Sequence, residues 1–175
     1  MKDFNMTEVS MNKDMKPSKL DGLRLSPHFT LGELTKTSYK TEDQNIPSRV
    51  AIENLKNLCE NWLEDLRYSY NTLYPRVCPQ EEIPLVINSG YRSPEVNKRA
   101  GGSSTSNHLT GCAVDIHVSG FEQAIRYASI LLDISEGTKR DYDELFIEKN
   151  SAGRYWIHLA VRPKGNRRKI DLIKV

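Results

Sequence analysis

The ten residues SNHLTGCAVD, at positions 106–115, are the most informative stretch of the sequence for both fold and chemistry. His108 and Asp115 lie seven positions apart, and Gly111 between them allows the backbone to turn tightly. An imidazole and a carboxylate joined by such a turn can face one metal ion. A His and an Asp at this spacing are more often surface or capping residues, so a metal site needs further support from the chain.

The residues after the turn have the alternation of a β-strand. Over 112–118, Ala113, Asp115 and His117 fall on one face, and small or apolar residues fall on the other. His117 could therefore be a metal ligand or support one, but a solvent-facing strand residue is the favoured interpretation.

A third ligand is available on a second predicted strand, 155–161. His158 lies there with apolar neighbours that point to the opposite face, although a core histidine bonded to the backbone is the alternative. Two neutral imidazoles and one carboxylate suit Zn²⁺, and three protein ligands leave a fourth position open, as in catalytic sites. We therefore predict one zinc ion held by His108, Asp115 and His158.

Glu148 is the predicted general base. It ends a strand at 144–148 that leads by a hairpin into the strand of His158, so its carboxylate could take a proton from water and pass it to a leaving amine. It could instead only pair with a basic residue of the hairpin. Asp143 or Tyr155 could serve in its place, in proton transfer or oxyanion contact.

The remaining patterns predict an α+β domain, in which a small, mainly antiparallel sheet is flanked by helices. Apolar residues recur at steps of three and four over 48–69 and 121–134, and Ser119 is the predicted cap of the second helix. Thr30 with Glu33 is a capping-box pattern for a short helix. The predicted strands are 84–88, 112–118, 144–148 and 155–161, with a fifth, at the sheet edge, possible at 170–174.

Length and composition indicate one domain at 23–175 behind a polar arm at 1–22 that has no helical or strand period. The 25 Lys and Arg nearly balance the 23 Asp and Glu, so we expect no nucleic-acid partner. We also expect a monomer. The sequence has no run of eighteen apolar residues, so we expect no stable insertion into a membrane. Three cysteines in no metal or disulfide pattern favour a reduced compartment. A C-terminal basic cluster is expected to be solvated: Arg162, Lys164, Arg167, Arg168 and Lys169.

The pattern Ser-x-His-x-x-Gly-x-Ala-x-Asp at 106–115 resembles the first metal motif of the peptidase M15 family, the zinc D-Ala-D-Ala carboxypeptidase-like enzymes. SGYRS at 89–93 and SPHFTL at 26–31 also resemble that family, in the order seen in its phage and prophage members. The resemblance covers about residues 26–161. It implies a zinc fold of the hedgehog and D,D-peptidase type, and hydrolysis of amide bonds in bacterial peptidoglycan stem peptides or cross-bridges.

The resemblance also implies roles for individual residues. His108, Asp115 and His158 correspond to the zinc ligands, Arg92 to a catalytic residue that binds a substrate carboxylate or carbonyl, and Ser106 to a residue that positions the substrate. Tyr91 and Trp156 are predicted to line the substrate site, and His28 to be structural.

The chain departs from the family at one position. Many members carry an acidic residue three positions before the last zinc histidine, where this chain has Tyr155. Hedgehog-type domains instead have an acidic residue at the end of the preceding strand, which is similar to the position of Glu148. The departure keeps open an alternative function, a zinc-containing module that binds wall peptide or a protein partner without cutting it.

The first residues show no secretion signal, so we expect a protein that is cytoplasmic as synthesised. A wall-cutting enzyme of this kind would reach its substrate after lysis, or through a partner that opens the membrane. That expectation fits an endolysin of phage or prophage type.

Overall fold

The computed structural model describes residues 21–75 and 82–175. All but the last two residues of the predicted arm, 1–22, lie outside this part, as does Cys78. The helices are α1 (Leu31–Thr35), α2 (Arg49–Leu58), α3 (Glu64–Leu73), α4 (Pro94–Arg99) and α5 (Phe121–Thr138). The strands are β1 (Ile87–Ser89), β2 (Ala113–His117), β3 (Glu144–Lys149), β4 (Tyr155–Ala160) and β5 (Lys169–Lys174).

The five strands form one sheet in the order β1-β2-β4-β3-β5. The first three pairings are antiparallel, and β5 joins the edge of the sheet parallel to β3. The predicted α+β class with a mainly antiparallel sheet is therefore confirmed, and the edge strand suggested at 170–174 is present.

The long helix predicted at 48–69 is real but continues to Leu73, because Tyr70 still faces the core. It consists of α2 and α3 joined by a π-helical turn at Cys59–Leu63. That turn keeps Cys59, Trp62 and Leu63 buried. Ser48 begins the helix by accepting a hydrogen bond from the backbone N–H of Ala51.

Three predicted details are wrong. The apolar run 84–88 is not a buried strand: β1 covers Ile87–Ser89, and Val86 is 48 % exposed. The ladder with β2 pairs Ile87 with Ile116 and Ser89 with Asp115, so the strand begins near the end of this run and continues one residue beyond it. Ser119 does not cap α5, since Gly120 is the N-cap and the N–H of Ser119 donates to the side chain of Gln123 (2.7 Å). That helix also runs four residues beyond the predicted end at 134.

The capping patterns of the shorter helices hold. Thr30 and Glu33 form both bonds of a capping box at α1. Ser93 accepts a hydrogen bond from the N–H of Val96 at the start of α4, whose first helical residue is Pro94. The first of these helices packs against β1, and the second begins five residues after that strand ends.

The two faces of the sheet are chemically different. On one face, alternate residues of β2, β3 and β4 pack with α2, α3 and α5 in the hydrophobic core: Val114, Ile116, Leu145, Ile147, Ile157 and Leu159. Because side chains alternate along a strand, the opposite face carries Asp115, His158 and Glu148. Within 21–75 and 82–175, no helix combines the length and apolar character needed to cross a bilayer.

Candidate active site

A one-turn 3₁₀ helix, Asn107–Thr110, positions the first histidine. The Ser106 hydroxyl accepts a hydrogen bond from the N–H of His108 (3.3 Å) at the start of the turn. Gly111 ends it with φ 70°, and a side chain there would place Cβ 2.3 Å from the carbonyl oxygen of Ala51. Only glycine fits both the backbone conformation and the space, so the tight turn expected from the sequence is present.

Strand register positions the other two predicted ligands. Asp115 on β2 lies directly opposite His158 on β4, and Asp115 Oδ1 is 2.9 Å from His158 Nδ1. Asp115 Oδ1 is also 3.3 Å from His108 Nε2. All three side chains are buried, and their candidate ligand atoms lie within 4.8 Å of one another. The structure thus brings together the three residues predicted to hold a metal.

This donor set fits a divalent metal. His108 Nδ1 lies 2.6 Å from the carbonyl oxygen of Gly90; if it donates there, Nε2 keeps its lone pair for a ligand. Two tetrahedral ligand atoms bound at about 2.0–2.1 Å lie about 3.3 Å apart, which matches the 3.3 Å between His108 Nε2 and Asp115 Oδ1. His108, Asp115 and His158 could therefore hold one ion.

The charges of the cluster are strongly coupled. Burial alone would raise the pKa of Asp115, but the adjacent His108 and His158 outweigh it and hold that pKa well below its usual range. Burial would lower the pKa of His158, yet hydrogen bonds to Asp115 and Glu144 raise it to about 9. Asp115 is accordingly ionised at neutral pH, as a metal ligand must be.

Arg92 supports Asp115. Its Nη2 donates to Asp115 Oδ2, and its Nε donates to the Ser89 hydroxyl (2.8 Å). Two of its three guanidinium nitrogens are thus used to orient one predicted ligand and β1, and the side chain remains 17 % exposed at the cleft.

Glu144 is a part of the site that the sequence did not reveal. Its Oε2 lies 3.5 Å from His158 Nε2, and Asn107 Nδ2 donates to both Glu144 (3.0 Å) and Asp143 (3.0 Å). The signal that could have indicated it is the alternation of β3. Glu144 lies two residues before Phe146 and four before Glu148, so all three side chains share the face of the sheet that carries the site.

The comparison with known families can now be set beside this geometry. The sequence profile described as Peptidase M15 matches residues 27–137, which is more than half of the chain and includes Arg92, His108 and Asp115. The chain belongs to the peptidase M15 family. Membership makes the protein a hydrolase in general terms. The matched segment ends before Glu148 and His158. A search among curated proteins gave no match.

In this M15 peptidase, Glu148 lies on the site face of β3, across from Trp156 on β4. It is half-buried, and burial raises the pKa of its carboxyl group, with Asp115 adding to the rise. His158, Trp156 and Arg92 each lower this pKa, but by less than burial and Asp115 raise it. The net effect is a raised pKa, so the carboxylate is a stronger base than an exposed glutamate.

The two alternative bases lie in different surroundings. Asp143 is fully buried and paired with Arg162 and Arg167, which, outweighing burial, lower its pKa to about 2. Tyr155 packs against Phe121 of α5, with ring centroids 5.2 Å apart, on the core side of β4. Neither arrangement favours proton transfer at the cluster.

A cleft of about 700 Å³ opens beside the cluster. Arg92, Asp115, His117, Arg154 and Trp156 are among its lining residues. His117 is exposed there, as the favoured interpretation of the sequence had it.

Two predicted substrate residues lie elsewhere in the site region. Tyr91 is 8 % exposed in the hydrophobic core and lines a neighbouring cavity of about 230 Å³. Ser106 acts on the protein itself, through its hydrogen bond to the turn of His108. The structure does not place either of them on the wall of the larger cleft.

The C-terminal basic cluster is not simply solvated, which corrects the expectation from the sequence. Arg167 donates to Asp143 through Nε (2.8 Å) and Nη2 (2.7 Å), and also to Glu144 (2.6 Å). Arg162 pairs with Asp143 at 2.7 Å, and Arg168 pairs with Asp141 at 2.8 Å. Arg162 and Arg167 thus lie at the start of β3, because Asp143 directly precedes that strand and Glu144 is its first residue.

Proposed function

We propose that the protein is a zinc-dependent peptidase that hydrolyses amide bonds in bacterial peptidoglycan stem peptides or cross-bridges, with one zinc ion held by His108, Asp115 and His158. The observation that carries the proposal is the convergence of these three buried side chains, whose ligand atoms lie within 4.8 Å of one another. Zinc at such a site lowers the pKa of a water to about 7 and polarises a carbonyl oxygen.

The residues around the ligands support this role by fixing them. The carbonyl of Gly90 orients the ring of His108, and Arg92 holds the second oxygen of Asp115. The ligands therefore need little rearrangement on binding a metal, which favours a preorganised catalytic centre.

Glu148 is the proposed general base. Its carboxylate lies on the same sheet face as His158, and its raised pKa makes it an effective proton acceptor. It takes a proton from the attacking water and returns it to the leaving amine. Trp156 lies directly across from Glu148 in the sheet, so its indole flanks this carboxylate.

The cleft suits a short peptide segment. Its volume of about 700 Å³ lies within the usual range for ligand sites. Arg92 and Trp156 offer a cation and an apolar surface on its wall. We propose that Arg92 contacts a carbonyl or carboxylate of the bound peptide through the guanidinium nitrogen that does not bond to Asp115 or Ser89.

The test combines metal analysis with wall digestion. Purified protein is expected to contain zinc, and His108→Ala, Asp115→Ala and His158→Ala to lose it. Incubation with peptidoglycan is expected to release new amine ends that a chelator prevents. Glu148→Gln should lower the rate by about 10²- to 10⁴-fold while zinc stays bound. Glu60→Gln, an exposed helical glutamate, is the matched control and should change neither quantity.

The outcomes separate the possible functions. No amine release by zinc-loaded wild type would favour the non-catalytic module that binds wall peptide. Release that continues in Glu148→Gln would assign the base to another residue. Release without bound metal would contradict the proposal as a whole.

A further inference from the structure

The charges that line the cleft are unevenly compensated. Asp115 pairs with Arg92 and also contacts the two histidines of the cluster. Arg154, on the wall of the same cleft, forms no ion pair with any residue in 21–75 or 82–175. Among the residues that the structure describes, Arg154 is thus a cation of the cleft without a counter-ion.

The loop that carries Arg154 is held in place by its own hydrogen bonds. The N–H of Asn150 donates to the carbonyl of Arg154 (3.0 Å), and the N–H of Arg154 donates to the Asn150 side chain (2.9 Å). Gly153, with φ 80°, closes the turn through a bond to the carbonyl of Asn150 (3.0 Å). The backbone of Arg154 is thus fixed where β4 begins, while its side chain is exposed.

Arg92 is the other guanidinium on the cleft wall, but it is already engaged. Its Nε donates a hydrogen bond to Ser89 and its Nη2 donates to Asp115, and the side chain is largely buried. The side chain of Arg154 forms no hydrogen bond with any residue in 21–75 or 82–175, where only its backbone is bonded. Its planar fork is therefore open to an external group and matches a carboxylate in a bidentate arrangement.

We infer that Arg154 binds a carboxylate group of the substrate at the outer part of the cleft. It would thereby make the enzyme selective for peptides that carry a free carboxylate away from the amide bond that is cleaved. The inference rests on the proposed function, which supplies the peptide. Arg92 then positions Asp115 and contacts the peptide as proposed above, whereas Arg154 supplies the selectivity for the additional carboxylate.

The experiment compares two probes, a synthetic stem peptide with free carboxylates and the same peptide with its carboxylates amidated. Binding is measured by calorimetry on the zinc-loaded full chain carrying Glu148→Gln, and cleavage is measured on the otherwise native chain. The variants are Arg154→Ala, Arg154→Lys and Arg154→Glu. Lys164→Ala is the control, because Lys164 is an exposed cation beyond the opposite end of β4.

The native side chain is expected to favour the free-carboxylate peptide by about tenfold in both binding and kcat/KM, as charge-assisted pairs do. Arg154→Ala should abolish the preference, Arg154→Lys should keep part of it, and Arg154→Glu should reverse it. Lys164→Ala should leave it intact. Binding of the amidated peptide should be unchanged in Arg154→Ala, which a loss of folding could not produce.

Three results would overturn the inference: a preference that survives in Arg154→Ala, no preference in the native chain, or no binding of either peptide. If chelator-sensitive cleavage continues without any preference, the inference fails and the proposed function stands. If neither peptide is cut but the binding preference depends on Arg154, hydrolysis fails and the binding role of Arg154 stands.

Discussion

Oε2 of Glu144 lies 3.5 Å from Nε2 of His158, while Nδ1 of the same ring faces Asp115 at 2.9 Å. The imidazole is therefore held between two carboxylates, one from β2 and one from β3. Glu144 is itself held by Asn107 (3.0 Å) and Arg167 (2.6 Å). A carboxylate behind a ligating histidine fixes the ring orientation and raises its basicity.

Glu144→Gln should weaken zinc binding by about 10- to 100-fold, because the amide keeps the shape of the side chain but not its charge. Competition with a chromophoric chelator measures the affinity. Glu136→Gln, which removes a carboxylate exposed on α5, is the control and should bind zinc as the wild type does. Equal affinity in both variants would show that Glu144 does not support the metal site.

Gly111→Ala should destabilise the fold more than Gly101→Ala. Both glycines have positive φ, 70° and 73°, so each substitution costs about 1–2 kcal/mol of backbone strain. Only at Gly111 would the new Cβ meet an obstacle, the carbonyl oxygen of Ala51 at 2.3 Å, whereas nothing lies within 4 Å at Gly101. Urea denaturation should show the difference. Equal losses of stability in the two variants would mean that the backbone at Ala51 can move away from the new Cβ at little cost in free energy.

The convergence of His108, Asp115 and His158 could be predicted because their spacing and strand periodicity are local features of the sequence. His108 and Asp115 are separated by one glycine turn, and His158 lies on a strand whose alternation shows which way it points. The helix and strand positions followed from the same periodicity, to within a few residues.

Residues that act through distant partners could not be predicted in this way. Glu144 looks like an ordinary first residue of a strand until Asn107 and Arg167 are folded against it. Arg162 and Arg168 lie in a basic stretch whose acidic partners are between 19 and 32 positions away. Pairing over such separations depends on the parallel addition of β5 beside β3, which no local pattern encodes.

The segment SPHFTL at 26–31 has a structural purpose that can be tested at Glu64. This carboxylate accepts hydrogen bonds from the Ser26 hydroxyl (2.6 Å) and the N–H of His28 (2.8 Å), and it lies 2.7 Å from His28 Nδ1. Glu64→Gln should lower the free energy of unfolding by about 1–3 kcal/mol, since bonds to a charged acceptor are weakened. Glu53→Gln, an exposed glutamate on α2, should have little effect. A Glu64→Gln protein as stable as the wild type would argue against this attachment.

Asp143 should make stability depend on acid pH in a defined window. Its pKa is lowered in the folded state from 3.8 to about 2, where the pull of Asn107, Arg162 and Arg167 outweighs burial. A carboxyl group with a depressed folded pKa stabilises the protein above the unfolded value and loses that contribution as pH falls through the folded one. The contribution is therefore complete above about pH 4 and gone below about pH 2.

The expected size is at most about 2 kcal/mol, reduced because Arg162 and Arg167 are partly exposed to solvent. Denaturant unfolding of wild type and Asp143→Asn at several pH values measures it. The variant lacks the titrating group, so the stability gap between the two proteins should narrow between about pH 4 and pH 2 and stay constant above that range. A gap that remained unchanged across the window would mean that Asp143 is not held ionised by these arginines.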